Sequence, residues 1–166
     1  MRTPKATDLT AHLALITVVA ATVLVAGSVM AGRAPSAIFY VATDGDDVFG
    51  DGSPGDPWAT IAHALDSVPD ASTILVKPGT YYGRQRLRGT FTQGVVVRSE
   101  QPYRAQLRHD ATVVTCFYGQ GITFEGFDVA HDGPGADALV VQIQDLIAGT
   151  DFVRRIVLRN NVFHDS

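Results

Sequence analysis

The spacing of apolar positions changes along the chain, and each change marks a different element. Positions 13–30 are almost all apolar and carry no charge. A short apolar run follows at 38–42, which predicts a strand. Trp58, Ile61, Ala62 and Leu65 then recur at i, i+3, i+4 and i+7, the single stripe of an amphipathic helix over 57–65. Asp56 is the expected N-cap of that helix and Pro57 its first residue. A second strand is expected at 74–76, before the turn at Pro78-Gly79. From there the chain reads as short runs rich in Val, Ile, Thr and Phe, separated by polar turns. Strands are predicted at 94–99, 105–108, 112–118, 122–129, 138–143, 155–160 and 162–164. No second helix is legible.

Two of these runs match each other. Residues 122–129 (ITFEGFDV) and 156–163 (IVLRNNVF) share their apolar pattern, Ile122 corresponding to Ile156, and His131-Asp132 and His164-Asp165 follow them. Ile122 and Phe124, like Ile156 and Leu158, are expected to point inward. Gly126 and Asn160 are expected at a bend that needs left-handed backbone. Stacked strands of this kind leave an open end, and an amphipathic helix between two strands near the N-terminus would cover it. An ordinary β-α-β unit of an α/β domain is the other reading of that segment.

The phrases FYVATDG, GSPGDPWATIAHAL and ILVKPGTYYG, covering about a quarter of the chain, resemble the N-terminal cap of secreted right-handed parallel β-helix proteins of the pectate-lyase-like superfamily. The expected fold is therefore all-β: a right-handed parallel β-helix (a solenoid) with one N-terminal capping helix. Residues 38–166 would form the cap and first coils, truncated at the C-terminus because no closing element follows the last strand. The resemblance implies action on an acidic polysaccharide, with β-elimination assisted by calcium and the active site downstream. It does not fix the activity, since fold does not determine function. The alternative is a non-catalytic extracellular β-helix that binds glycans or cell surfaces.

Arg2 and Lys5 precede the apolar run, and Val29-Met30-Ala31 offers a cleavage site, so residues 1–31 read as a secretory signal peptide and 32–37 as a linker. The run also approaches the ~20 residues that span a bilayer, which keeps an uncleaved anchor open. Cleavage removes two of 13 basic and one of 17 acidic residues; 11 and 16 remain, moving the net charge from −4 to −5. A mildly acidic secreted monomer with no membrane contact after cleavage is expected. Nucleic acid is a poor partner for such a charge. Cys116 is the single cysteine, so no intramolecular disulfide forms; in its apolar strand it reads as a buried hydrophobe.

Candidate chemistry sits in a few places. Asp44, Asp46 and Asp51, with Asp47 and Asp56, place five carboxylates in residues 44–56. Oxygen ligands spaced by glycines suit calcium, and Asp side chains bonded to their own backbone are the other reading. Arg84, Arg86 and Arg88 alternate, so a strand puts them on one face. Such a row suits carboxylates of an acidic sugar chain, or is ordinary surface charge. The two His-Asp steps would stack on one edge as a metal or acid–base pair, or form exposed turns. Lys77 lies in the turn after the helix, and no residue is assigned as a catalytic base.

Secreted protein is expected to begin at Gly32 or within a few residues of it, as read by N-terminal sequencing. A full-length product in the membrane fraction would instead identify an anchor.

Overall fold

The computed structural model describes residues 36–133, 139–145 and 152–165. The expected signal peptide and most of the linker lie outside the described residues. Among the described residues no helix is long and apolar enough to cross a membrane.

The described chain is mostly β with one helix. Its elements are β1 (Ile38–Val41), α1 (Ile61–Ser67), β2 (Thr73–Val76), β3 (Gly79–Tyr82), β4 (Gln85–Ser99), β5 (Ala105–His109), β6 (Val114–Glu125), β7 (Asp128–His131), β8 (Val141–Ile143), β9 (Arg154–Arg159) and β10 (Val162–His164). They form two sheets, paired in parallel throughout. One runs β1-β2-β4-β6-β8, with β9 also on β6; the other runs β3-β5-β7-β10. From β4 to β7, consecutive strands alternate between the sheets.

The register sets the core. Phe39, Ile74, Val97, Phe124 and Leu158 lie against one another across five strands. Tyr81, Leu107, Val129 and Phe163 do the same in the second sheet. Ile74, Val97, Leu107, Phe124 and Val129 are fully buried, and alternate residues point outward, as the period of two requires. The rings of Phe124 and Phe127 stack with centroids 4.1 Å apart. The two segments that match in sequence lie side by side: Ile122 pairs with Ile156, Phe124 with Leu158 and Asp128 with Val162. Gly126 (φ 79°) and Asn160 (φ 53°) both adopt left-handed backbone, which glycine and asparagine accept more readily than other residues.

Strand limits differ from expectation where the chain bends. β4 begins well before the expected strand, at Gln85 rather than Gly94. β6 joins most of the expected strands 112–118 and 122–129 and ends at Glu125, because the backbone turns at Gly126. The pairing of β4 with β6 jumps from Thr90↔Gln120 to Val95↔Ile122, so Phe91 to Gly94 form a bulge.

The helix also starts later than expected. Trp58 is drawn into a bridge with Val41, and Thr60, not Asp56, is the N-cap, accepting the His63 N–H. The buried stripe is Ile61, Ala64, Leu65 and Val68, with Trp58 buried beside it. Ala62, expected in the stripe, is only partly buried. α1 packs on β4, β1 and β2. β1, α1 and β2 thus do make a parallel β-α-β unit, but no further helix follows among the described residues. Leu65 is 3 % exposed, and Leu65→Ala is expected to lower stability by about 2–5 kcal/mol, measured by denaturant unfolding.

Candidate functional site

The alternation of β4 builds a charged face. Gln85 and Leu87 are buried, while Arg84, Arg86 and Arg88 are exposed. All three arginines line one groove of about 350 Å³ with Leu87, Thr115, Phe117 and Tyr118. Register brings the lining together: Arg86 lies beside Thr115, Thr115 beside Gln142, and Arg88 beside Tyr118. The Tyr118 ring is 5.2 Å from that of Phe152. Arg84 Nε donates to the Thr112 carbonyl at 3.3 Å, and Arg88 pairs with Asp66 of α1. Arg86 has no partner among the described residues. The alternation in sequence placed the arginines on one face. Nothing local signalled the aromatic wall of Phe117 and Tyr118, which comes from β6, distant from Arg84–Arg88 in the chain.

The Asp/Gly stretch folds around Trp58. Trp58 Nε1 donates to the Gly50 carbonyl at 2.9 Å. Gly52 (φ 77°) lies flat on the indole, where a Cβ would come within 2.8 Å of the ring. Asp46 Oδ1 accepts the N–H groups of Val48 (2.7 Å) and Phe49 (3.0 Å); these bonds, that of Phe49 foremost, hold its carboxyl below the usual range. Asp51 Oδ1 accepts the Ser53 N–H at 2.8 Å, and this bond, with the Ser53 hydroxyl, lowers Asp51 likewise. Asp47 accepts from Ala59 N, Thr60 N and the Thr60 hydroxyl, tying the loop to the helix start. Asp44 has no hydrogen-bond partner among the described residues. With Oδ1 of Asp46 and Asp51 engaged by the main chain, the loop is built as a set of turns, and we derive no step through calcium. Among the described residues no group of three or more His, Cys, Asp or Glu is placed to hold a metal ion.

The two His-Asp steps do not stack. The residue that pairs with His164 is Ala130, one position before His131, so His164 faces outward. His131 instead pairs with His109, a third His-Asp step that the sequence also contains. His131 is buried, with neither ring nitrogen hydrogen-bonded among the described residues. His164 Nε2 lies 3.0 Å from Asp128 Oδ1 and its Nδ1 2.7 Å from Asp165 Oδ2. Arg108 Nη2 reaches the same Asp128 oxygen at 2.7 Å. Partial burial pushes Asp128 up, but the bonds from His164 and Arg108, with their charges, outweigh it and hold the carboxyl low. The bond to Asp128, then that to Asp165, raises His164.

Other candidates are structural. Lys77 Nζ donates to the Pro54 carbonyl at 2.8 Å and lies over the Tyr40 ring. Cys116 is 1 % exposed, and burial, followed by the charge of Asp145, pushes its thiol up to about 11. Glu125, buried, sits between Arg98 and Arg159, its register neighbours. Tyr81 is buried and donates to the Lys77 carbonyl at 2.9 Å, while Tyr82 and Tyr103 are exposed. No family model, curated protein or solved structure matches the chain.

His164 ties β10 to β7 through Asp128. Its raised pKa means that the stabilisation is fully present below the unfolded value of about 6.5 and is lost as pH rises through the folded value. Asp128 is lowered, so its share is present above about pH 4 and is lost as pH falls through its folded value. Unfolding measured at about pH 5.5 and 8.5, on either side of the histidine range, is expected to show a decrease in stability that His164→Gln removes.

Proposed function

We propose that the two parallel sheets are faces of a right-handed parallel β-helix, and that this secreted module binds an acidic polysaccharide along the Arg84–Arg86–Arg88 groove. The fold part is supported by strands that alternate between two parallel sheets, by the in-register stacking of the matched segments, and by the strong preference of parallel crossovers for the right hand. The binding part rests on one observation: three arginines share a groove with aromatic side chains, and Arg86 is left without a partner among the described residues. A guanidinium binds a carboxylate through two parallel N–H bonds. Phe117 and Tyr118 offer apolar surface to the non-polar faces of sugar rings. Arg86 and Arg88 stand about 6–7 Å apart along the strand, so successive acidic groups of an extended chain can meet successive arginines.

The resemblance also implies calcium-assisted β-elimination. That chemistry needs a positioned base and a carboxylate cluster, and no described residue supports either role. Binding has a groove of named residues, so we assign binding rather than catalysis to this part of the chain.

The full chain is expected to be retained on immobilised polygalacturonate or alginate, to release as salt rises, and to pass a neutral glucan. Arg86→Ala removes one charge-assisted contact and is expected to weaken retention about tenfold without moving the unfolding midpoint. Equal retention on the neutral glucan, or full retention by Arg86→Ala, would refute the reading.

A further inference from the structure

The carboxylate-rich loop holds the two most exposed large apolar side chains among the described residues, Val48 at 79 % and Phe49 at 84 % exposure. They do not sit on a loose segment. Asp46 Oδ1 fixes both of their N–H groups. Gly50 N donates to the Asp46 carbonyl at 3.1 Å, and Asp46 N to the Pro57 carbonyl at 3.0 Å. An apolar pair on a preorganised tip loses little freedom on docking and makes a good anchor. Asp44, Asp46 and Asp47 precede it in the chain and Asp51 follows it. That rim repels an anionic lipid surface and complements an apolar hollow edged with cations.

The same chain displays such a hollow. The Arg84–Arg86–Arg88 groove combines three guanidinium groups with Leu87, Phe117 and Tyr118. We propose that the Val48–Phe49 tip of one copy docks in the arginine groove of a second copy. Phe49 then lies against Phe117 and Tyr118, and the rim carboxylates face the arginines. Tip and groove are different surfaces, so the contact is head-to-tail. It generates rings or open chains rather than a two-fold dimer. A docked tip and a bound glycan exclude each other, because both use Arg86. This inference does not rest on the glycan reading: Phe49 belongs to the tip alone.

The test is sedimentation velocity of the full chain over a range of concentrations, with all variants side by side so that any association through residues 13–30 is a constant background. The average mass is expected to rise with concentration at low salt and to fall at high salt. Phe49→Ser, a change at a solvent-exposed position, should weaken association about tenfold or more while leaving retention on acidic glycan unchanged. Arg86→Asp and Asp44→Arg should each weaken it as single variants. Mixing those two proteins should restore association, since the unaltered tip of the Arg86→Asp protein meets the unaltered groove of the Asp44→Arg protein, as a head-to-tail contact requires. A chain that stays monomeric throughout, a Phe49→Ser variant that associates like wild type, or a mixture that fails to recover would overturn the proposal. Loss of glycan retention with self-association intact would count against the glycan reading alone.

Discussion

Parallel pairing in register places each side chain directly beside its counterpart in the next strand, and the rest of the structure depends on that constraint. Inward positions must then be apolar strand after strand, as in the row from Phe39 through Ile74, Val97 and Phe124 to Leu158. Outward positions must avoid like charges side by side. Arg98, Glu125 and Arg159 satisfy this by alternating sign, which also provides the buried Glu125 with a cation on each side. A carboxylate that is mostly out of water needs such partners, since removing one leaves an uncompensated charge.

The two charged features legible in the sequence differ in what their groups are bound to. The Asp/Gly loop has the greater charge density, yet Asp46, Asp47 and Asp51 each accept main-chain N–H groups of a short loop wrapped on Trp58. One oxygen of each is thereby engaged in forming the turns. The arginine row has fewer charges but leaves Arg86 uncommitted among the described residues. Charge counts cannot separate these cases; the satisfaction of each group by its neighbours can.

Period and turn chemistry made much of the fold readable. The strands at 94–99, 105–108, 155–160 and 162–164 lie where alternation placed them, apart from an end residue or the early start of β4. The bends at Gly126 and Asn160 follow from the residue types. What the sequence concealed was pairing distance. Asp56-Pro57 has the composition of a helix start, but Trp58 gains more from the bridge to Val41 and from burial, so the helix waits for Thr60. The His-Asp steps look equivalent until the strand register, which sets His164 beside Ala130 instead of His131, turns His164 outward. The aromatic wall of the arginine groove belongs to a strand whose proximity to β4 no local pattern encodes.

Among the described residues β9 and β10 each pair on one side only, and Phe163, whose register neighbour Val129 is sealed, is 42 % exposed. Such an edge invites association strand to strand. β9, however, carries Arg154, Arg155 and Arg159. Antiparallel pairing of two β9 edges would set arginine against arginine, which opposes self-pairing there. The tip and the groove carry opposite charges instead. If copies of this chain meet, the electrostatics favour contact through the loop and the β4 face over fusion of the sheets.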